Sequence, residues 1–476
     1  MVNKKLVLIK PDVKYPVKKQ GYAGDLGIPL GLLYLSSFVR ERNNYDIKVV
    51  DIRLKRVLGE EVDLDNEIMN ADIVGCGACT AESPGALNVL KRAKGLGKIT
   101  VMGGIFPTFN SRKVLNTGYV DYIVLGEGEA GLSKLLDALD GKIEIGEVKG
   151  IAYMMDGSFR INPDKELIQD LDTLPLPAYD LIPIEKYATF SPAGIYAARG
   201  CPMTCKFCTL NELWEYRYRR RSFGNIIEEL NTLKNFGFKR VHFKDETITL
   251  NKSWCNDLFR EIEMANLGMS YKVKSRSNGL EEKLLKQMMA AGVDTIHSGI
   301  ESISQRTLDG MEKRVKTESI VRFFELVLGN GCMVNPVYMF SWPGENMNDL
   351  EENAHFIRKM GQKQGVITYI SFITPHPGSQ LSTGVRGLQI LSKDYSRYTH
   401  KQPVAIPISL GPNGLRSMVD YYHKIARDCG MQEVNPAVES AYLEEISSQI
   451  SQIETPNLKT AFIPLTFQQR GLVKSS

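Results

Sequence analysis

Arg199-Gly200-Cys201-Pro202-Met203-Thr204-Cys205-Lys206-Phe207-Cys208 places three cysteines at intervals of four and three residues, directly after the apolar run 194–198. The glycine and the proline break regular structure, so the thiols are expected on a loop where they can converge on one inorganic centre. Protein-held iron–sulfur clusters normally take four thiolates, and no fourth Cys or His is close in sequence. The stretch therefore indicates a [4Fe–4S] cluster with one iron left open for a substrate or cofactor.

Zinc binding and structural burial of the thiols both stay open as alternatives to a cluster. Structural zinc also binds closely spaced cysteines, but it takes a closed set of four ligands, and the nearest histidine, His242, lies on a predicted strand. Buried structural thiols are the second alternative, although a loop is a poor place for three inert apolar side chains.

An aromatic residue, Phe207, stands directly before the last cysteine, and the resulting C-x-x-x-C-x-x-C pattern resembles the signature of the radical S-adenosylmethionine (SAM) enzymes. The resemblance implies that Cys201, Cys205 and Cys208 hold the cluster. It also implies that the open iron chelates the amino and carboxylate groups of SAM, and that Phe207 lies near the adenine.

Composition limits the class of protein. A chain of 476 residues is expected to form two or three domains, and 43% hydrophobic with 24% charged residues is typical of a soluble globular protein. No apolar run of membrane-spanning length or signal peptide is recognisable, and eight cysteines in a chain of this length suggest a reducing compartment. We expect a cytoplasmic protein. A net charge of +4 is too small to indicate nucleic-acid binding by itself.

Residues 1–145 alternate short apolar runs with amphipathic segments, which predicts a doubly wound, Rossmann-like α/β domain with a parallel sheet. The predicted strands are Leu6–Ile9, Ile47–Ile52, Ile73–Cys76, Ile99–Met102 and Tyr122–Leu125. Ligands of such sheets bind beyond the carboxyl ends of the strands, where this chain has small, polar loops.

These loops resemble those of the cobalamin-binding domain in the cobalamin-dependent radical SAM family. The matching segments are Pro29–Leu35, Gly103-Gly104 and Gly126-Glu127-Gly128-Glu129, in that order ahead of the cysteines. The resemblance implies cobalamin contacts at Gly31, Leu32, Thr80, Gly103, Gly104, Gly126, Glu127 and Glu129. A plain flavodoxin-like interaction domain that uses glycines as turn residues is the alternative.

Residues 1–241 contain no histidine, so no imidazole of the first domain can ligate cobalt. This agrees with the radical SAM relatives, in which the lower face of cobalamin is often without a His ligand. Cys76 and Cys79 form a C-x-x-C pair that could be redox-active or supply further cluster ligands, but two small residues in a tight loop explain them better.

Residues 146–190 predict a hairpin and a Pro-rich linker, and residues 191–385 resume the strand–helix alternation. Six βα units fit the partial (β/α)6 TIM-like barrel of the radical SAM enzymes, with the active site at the carboxyl ends of the strands. Residues 386–476 predict a mainly helical C-terminal domain with helices over Gly414–Cys429 and Val438–Ile453.

Polar residues follow several predicted barrel strands. By resemblance, Asp245 or Glu246 holds the SAM ammonium, Arg276 pairs with a carboxylate of SAM or substrate, and Glu301-Ser302 belongs to a SAM-contacting G-x-E-S segment. The alternatives are a helix N-cap for Asp245-Glu246, a turn with a solvated Arg276, and a helix-start acid at Glu301.

Two further loops match family segments but depart from their commonest residues, at Trp342 and His376. Either side chain could line the substrate pocket, Trp342 as an apolar wall and His376 as a proton donor or acceptor, but loop packing is the simpler interpretation. The basic run Arg217-Tyr218-Arg219-Arg220-Arg221 invites comparison with methylthiotransferases that modify transfer RNA. Those enzymes have three cluster cysteines in the N-terminal domain, where this chain has two, so we interpret the run as a site-capping or solvated helix entry and expect no nucleic-acid partner.

The resemblance implies one-electron cleavage of SAM to a 5′-deoxyadenosyl radical, hydrogen abstraction from a small-molecule substrate, and methyl transfer from methylcobalamin to an unactivated carbon. The electron would come from a reducing partner such as flavodoxin or ferredoxin. Radical cyclisation or ring rearrangement is the alternative reaction. A non-catalytic cobalamin-binding sensor with a structural cluster is the alternative of another class.

Overall fold

The computed structural model of the protein describes residues 4–12, 26–383, 387–399 and 403–430. The first sheet has the strand order β2-β1-β3-β4-β5-β6-β7. Its first five strands are parallel and the last two form an antiparallel hairpin at the edge. The strands are β1 Lys4–Lys10, β2 Tyr45–Asp51, β3 Ile73–Gly77, β4 Ile99–Gly103, β5 Tyr122–Val124, β6 Ile151–Met155 and β7 Ser158–Asn162.

Helices connect these strands on both faces of the sheet, and the apolar residues of β1 pack into two separate cores. The helices are α1 Leu30–Arg42, α2 Ile52–Leu58, α3 Leu64–Met69, α4 Ser83–Gly95, α5 Ile105–Leu115 and α6 Gly128–Leu139. The predicted doubly wound fold is confirmed, and the predicted hairpin extends its sheet. Helix α5, whose first turn contains Pro107, was not predicted.

The second sheet is a curled parallel half-barrel with the order β15-β14-β13-β12-β11-β8. Its strands are β8 Ala193–Ile195, β11 Arg240–Phe243, β12 Ser270–Lys274, β13 Val293–Glu301, β14 Met333–Phe340 and β15 Tyr369–Phe372. A separate two-stranded ribbon pairs β9 Ala198–Arg199 with β10 Arg219–Arg220. The partial six-stranded barrel is therefore confirmed.

The helices of this half of the chain are α7 Ile184–Phe190, α8 Leu210–Leu213, α9 Phe223–Asn235, α10 Lys252–Ala265, α11 Glu282–Ala290, α12 Gln305–Gly310, α13 Thr317–Gly329 and α14 Met347–Gly361. Along β11 and β12 fully buried residues alternate with half-buried ones. The buried set, which includes Val241, Phe243, Tyr271 and Val273, belongs to the large apolar core. The half-buried set therefore faces the interior of the barrel.

After the barrel the chain forms a short antiparallel pair, β16 Leu388–Ile390 with β17 Ala405–Pro407, and the helix α15 Gly411–Asp428. This helix corresponds to the predicted helix over Gly414–Cys429, whereas the predicted helix over Val438–Ile453 lies outside the described residues. In the part of the chain that the structure describes, no helix has the length and apolar character needed to cross a bilayer.

Candidate active site

The three cysteines lie on the loop between β9 and α8, at the carboxyl end of the first barrel strand. All three are free, and their sulfurs are close enough to act on one another electrostatically. Backbone N–H groups of Leu210 and Asn211 point to the Cys208 sulfur, and that of Met203 points to Cys201. Burial raises the pKa of the Cys201 and Cys208 thiols, and these N–H donors act against it by stabilising the thiolate, the form in which cysteine binds metal.

The start of the loop is held in a conformation that requires glycine. Gly200 has φ = 100°, and a Cβ at this position would lie 1.9 Å from the carbonyl oxygen of Arg217. The Gly200 N–H donates to Glu246 Oε2 at 3.2 Å, and the Trp214 indole N–H donates to Glu246 Oε1 at 2.9 Å. The Glu246 carboxylate therefore fixes both sides of the cysteine loop.

Asp245, the other acidic residue predicted to hold SAM, is 1% exposed and accepts two backbone hydrogen bonds. The Ala197 N–H donates to Oδ2 at 3.2 Å and the Ala198 N–H donates to Oδ1 at 2.6 Å. Burial raises the pKa of this carboxyl to about 7, against the opposing effect of the two N–H donors. Asp245 thus anchors the backbone that leads into the cysteine loop.

Arg276, Glu301 and Phe207 surround the cysteines from the neighbouring strand ends. Arg276 Nη1 lies 3.9 Å from the Cys205 sulfur, and its Nη2 donates to the carbonyl of Lys313. Lys313 Nζ donates to Glu301 Oε1 at 2.8 Å in a buried ion pair and stands 5.6 Å from the centre of the Phe207 ring. The structure therefore brings these three predicted residues together around the cluster loop.

Glu301 is held in the left-handed region, with φ = 64°, at an irregularity in the pairing of β13 with β14. Such a backbone in a residue other than glycine is rare and concentrates at functional sites. The next residue, Ser302, is fully buried and donates to Asn353 Oδ1 at 3.1 Å. Ser302 fixes the turn, while Glu301 presents its carboxylate beside Lys313.

The site fits a cluster better than a single metal ion. Within the described ranges no three His, Cys, Asp or Glu side chains are placed to hold one ion. A mononuclear zinc site needs such convergence, whereas each thiolate of a [4Fe–4S] cluster binds a different iron. Two buried hydroxyls on the loops after β11 and β12, those of Thr247 and Ser277, have no hydrogen-bond partner among the residues described, as expected beside a polar ligand such as SAM.

The carboxyl edge of the first sheet has little side-chain bulk. Gly104 has φ = 95°, and a Cβ there would lie 2.9 Å from the Ala78 carbonyl oxygen, so the loops after β3 and β4 touch through backbone. The Gly126 N–H donates to Thr108 Oγ1 of α5 at 3.0 Å, and this hydrogen bond places the loop after β5 beside the other two loops. Gly77, Gly103 and Gly104 are partly exposed on this surface. The edge fits a large planar ligand such as a corrin laid against backbone.

Gly31 and Leu32 lie at the start of α1, on the same side of the sheet. A Cβ on Gly31 would meet no described atom within 4 Å, and a Cβ on Gly77 would lie 3.6 Å from Leu32 Cδ2. Leu32 is buried, so its side chain supports the Gly77 loop from beneath.

A barrel loop reaches this edge. His376, in the loop after β15, places Nδ1 3.0 Å from Thr80 Oγ1. Two residues later, a Cβ on Gly378 would overlap the Phe109 ring, at 2.4 Å from Cδ2, so glycine permits a close approach of this loop to α5. The barrel therefore supplies an imidazole to a surface whose own domain has none.

Glu127 and Glu129 connect the two sheets through buried ion pairs. Arg199 Nη1 donates to Glu127 Oε1 at 3.0 Å, and its Nη2 donates to Glu129 Oε1 at 2.8 Å. Arg219 Nη1 donates to Glu127 Oε2 at 2.7 Å. Arg199 is two residues before Cys201, so the loop predicted to contact cobalamin is joined directly to the cluster loop.

A second buried network lies beside the first. Glu229 on α9 accepts from Arg221, from Tyr179 Oη at 2.8 Å and from Tyr34 Oη of α1 at 3.3 Å. Of our two interpretations of the basic run, site-capping or a solvated helix entry, the second is therefore wrong for Arg219 and Arg221, which are buried and paired. The interdomain contact of Arg199 was not predicted either.

Cys76 and Cys79 are both free, the first buried and the second exposed. Burial raises the pKa of the Cys76 thiol well above its ordinary value, which disfavours a reactive thiolate. The Cys79 N–H donates to Glu82 Oε2 at 3.0 Å, which fixes a tight turn after β3.

Two family models match the chain. The model of the radical SAM superfamily matches residues 195–357, and that of the B12 binding domain matches residues 21–136. An uncharacterized methyltransferase of Pyrococcus horikoshii is 32% identical over 409 residues, covering 84% of this chain and 87% of the relative. The anaerobic magnesium-protoporphyrin IX monomethyl ester cyclase of Rubrivivax gelatinosus is 28% identical, covering 80% of this chain and 70% of the relative.

Among solved structures, the radical SAM methyltransferase TsrM from Kitasatospora setae, with cobalamin and a [4Fe–4S] cluster bound, superimposes with a TM-score of 0.70. The match covers 92% of this chain and 90% of TsrM at 16% sequence identity, so it shows a shared fold. The two matching family models and the similarity to a methyltransferase over 84% of this chain show that the chain belongs to the cobalamin-dependent radical SAM enzymes.

Proposed function

We propose that the protein transfers a methyl group from cobalamin to an unactivated carbon of a small molecule, with SAM as the source of the radical. The observation that favours this function most is the pairing of Arg199 with Glu127 and Glu129. These ion pairs join the cysteine loop to the glycine-rich carboxyl edge of the first sheet, where cobalamin is predicted to bind, so both cofactors would share one site. The relative that is 32% identical over 84% of this chain is a methyltransferase by name.

The protein's residues position the cofactors. Cys201, Cys205 and Cys208 would bind the cluster, while Glu246 holds the loop in place through Gly200 and Trp214. When bound, the cluster and SAM supply one-electron bond cleavage and cobalamin supplies the methyl group. Asp245 is already occupied by backbone donors, so its role in the proposal is to shape the loop rather than to bind SAM directly.

The remaining polar groups would orient SAM. Arg276 places a positive charge beside Cys205, where it can pair with a carboxylate and offset the negative charge of the thiolates. Glu301 offers a carboxylate to the ribose or ammonium of SAM, and the hydrogen bond from Lys313 holds that carboxylate in its orientation. Phe207 packs with Met311, Met339 and Trp342, which gives an apolar surface for the adenine.

Cobalamin would lie between the backbone-lined edge of the first sheet and the barrel loop that contains His376. Thr80, Gly103 and Gly104 would contact the corrin from the first domain. The ion pairs of Glu127 and Glu129 indicate that these two side chains support the cobalamin site through Arg199 instead of touching the corrin.

Radical cyclisation is a second candidate reaction, favoured by the 28% identity to a cyclase over 80% of this chain. The products distinguish the two reactions. Methyl transfer consumes one SAM for the radical and one for the methyl group, so it yields S-adenosylhomocysteine as well as 5′-deoxyadenosine. Cyclisation has no methyl donor step and yields 5′-deoxyadenosine alone.

The experiment is anaerobic incubation of the full-length, cluster-reconstituted protein with SAM, hydroxocobalamin and a reductant that converts the cobalamin to the form that accepts the methyl group of SAM. We expect 5′-deoxyadenosine and S-adenosylhomocysteine, both lost in Cys208→Ala and both retained in Cys429→Ala, which removes a thiol far from the loop in sequence. Absence of both products in the wild-type protein would contradict an enzymatic function and favour a cobalamin-binding sensor. If both products form, the substrate is sought by comparing the metabolites of a wild-type strain and a deletion strain. The substrate and its product should differ in mass by one CH₂ group.

We further propose a cytoplasmic location and electron supply from a flavodoxin or ferredoxin. All eight cysteines are free, which fits a reducing compartment. A nucleic-acid substrate is disfavoured because Arg219 and Arg221, the residues best suited to grip a phosphate backbone, are buried in ion pairs.

A further inference from the structure

The barrel interior contains three lysines that have no carboxylate partner within the described part of the chain. Lys244 follows β11 directly, while Lys272 and Lys274 lie on β12. All three belong to the half-buried set that faces the interior, and we call them the interior lysines. On the neighbouring strand β8, a Cβ on Gly194 would lie only 2.7 Å from Lys244 Cε, so the glycine leaves room for this side chain.

The hydrogen bonds of these lysines all go to neutral oxygens. Lys274 Nζ donates to the Lys244 carbonyl at 3.0 Å, and Lys272 Nζ donates to Asn335 Oδ1. His297 Nδ1 lies 2.9 Å from the same Asn335 oxygen. Among the described residues, none of the interior lysines forms an ion pair, although two of the three are held in place by hydrogen bonds.

The carboxylates that could neutralise the interior lysines are engaged elsewhere. Asp294 receives two hydrogen bonds of 2.6 Å from Arg240. Asp245 accepts from the Ala197 and Ala198 N–H groups, and Glu301 is bound to Lys313. No carboxylate among the described residues therefore forms an ion pair with an interior lysine, although the charge of Asp294 acts on Lys272 from a distance.

The positive charge of the interior lysines is energetically unfavourable without a ligand. Burial and the proximity of Lys274 lower the pKa of Lys244 to about 8. Burial, followed by the charge of Lys244, lowers the pKa of Lys272 to about 8. The neighbouring imidazoles of His242 and His297 are kept neutral, because burial and the same lysines lower their pKa values to about 3 and about 4. An anion would remove the repulsion.

We propose that the substrate has an anionic group, a carboxylate or a phosphate, and that the ammonium groups of Lys244 and Lys274 bind it inside the barrel. This inference rests on the proposed function, since it names the class of substrate for the same site. Lys244 and Lys274 stand at the carboxyl ends of their strands, next to Asp245 and to the loop of Arg276. An anion bound there would anchor one end of the substrate within the barrel that the cluster loop covers.

The carboxylate of SAM is the other anion that these lysines could bind, and a binding experiment separates the two sources. The full-length, cluster-reconstituted protein is titrated with inorganic phosphate, with succinate and with SAM at constant ionic strength, and each Kd is measured by calorimetry. We expect phosphate or succinate to bind and to raise the Tm. Lys244→Met and Lys274→Met should each weaken that binding by about tenfold or more and leave the SAM Kd unchanged.

Matched controls test whether charge is the cause. Lys274→Arg keeps the charge and should retain anion binding. Lys286→Met removes an exposed lysine paired with Glu282 and should change neither Kd. Without anion, Lys244→Met should have a Tm at or above that of the wild type because repulsion is removed. If this variant does not fold, Lys244→Gln provides the same comparison with a polar side chain.

The inference is overturned if wild-type protein binds neither anion, if the methionine variants bind them as tightly as wild type, or if these variants lose SAM binding. These measurements involve no turnover, so they are independent of the products that test methyl transfer. A protein that makes S-adenosylhomocysteine but binds no anion would refute only the substrate class.

Discussion

Arg199 and Glu127, 72 residues apart in sequence, form a buried ion pair of 3.0 Å that joins the first domain to the residue two positions before Cys201. Arg199 also pairs with Glu129, and Glu127 also pairs with Arg219, so two arginines share two carboxylates. Each of the four side chains is less than a tenth exposed. The geometry of the cluster loop is therefore coupled to that of the loop after β5 and the first turn of α6, which contain Glu127 and Glu129 and are predicted to lie at the cobalamin site.

Replacing Glu127 should destabilise the whole protein. Glu127→Gln leaves Arg219 without its carboxylate partner and Arg199 with only Glu129, and removal of one partner from a buried ion pair typically costs about 3 to 5 kcal/mol. We expect a lower midpoint in anaerobic denaturant unfolding. Glu282→Gln, which breaks an exposed pair on α11, is the matched control and should leave the midpoint unchanged.

A different pattern would support direct contact of Glu127 with cobalamin. If Glu127→Gln weakened cobalamin binding but left the unfolding midpoint at the wild-type value, the ion pair would be unimportant and a cobalamin contact of Glu127, as the sequence predicts, would be favoured.

The glycine that opens the cluster loop should tolerate no side chain. Gly200→Ala would force alanine to φ = 100° and place its Cβ 1.9 Å from the Arg217 carbonyl oxygen, so the loop must move. We expect iron and sulfide content after reconstitution to fall to a small fraction of wild type, with at least about 2 kcal/mol lost from folding. Gly224→Ala, in α9 with open space around it, is the control and should gain about 0.5 to 1 kcal/mol. Normal cluster content in Gly200→Ala would contradict the requirement for glycine.

Much of this architecture could be predicted because local patterns determine it. The apolar runs of the parallel strands, the Asp156-Gly157 turn of the hairpin and the cysteine spacing all depend on residues close in sequence. The helix α5 was missed because Gly103-Gly104 and Pro107 indicate a loop. In the structure Gly104 is the N-cap and Pro107 falls in the first turn, where its missing N–H costs nothing.

Other features depend on how the two domains dock, which no local pattern reports. The basic run 217–221 looked solvated, yet Arg219 is buried against Glu127 of the first domain. Arg221 is buried against Glu229 of α9, which itself accepts a hydrogen bond from Tyr34 of the first domain. The alternation of His242 and Lys244 with Val241 and Phe243 was visible in the sequence. That His242 and Lys244 face the barrel interior could be inferred only from the structure, which shows that the other face of β11 packs into the apolar core.

Loss of one cluster cysteine should separate the two cofactor sites. Cys208→Ala removes a ligand from the loop after β9, so we expect loss of the visible absorption of the cluster and of SAM cleavage. Cobalamin should still bind with wild-type affinity, because the first sheet and its loops are built from residues before the linker. Simultaneous loss of cobalamin binding would contradict the division into residues 1–145 and 191–385.

Glu345, in the turn after β14, is 0% exposed. Its carboxylate accepts from the Ser341 N–H at 2.8 Å, while Asp349 acts against its ionisation and Arg306 favours it. Burial dominates and raises the pKa from 4.5 to about 8. Between these two values the folded protein keeps a proton that the unfolded chain has lost, so this group makes the protein less stable as pH rises through that window.

Glu345→Gln removes the ionisable group and should therefore reverse this loss. Relative to wild type, we expect the variant to gain roughly 2 to 4 kcal/mol in unfolding free energy between about pH 5 and about pH 9, since one pKa unit corresponds to about 1.4 kcal/mol. Any constant cost of the amide cancels, because the comparison is between two pH values. Denaturant unfolding of both proteins across this range measures the difference, with the exposed Glu282→Gln as control. Parallel pH profiles for Glu345→Gln and wild type would show that Glu345 is ionised at neutral pH in the folded protein, and the turn would then have to stabilise a buried negative charge.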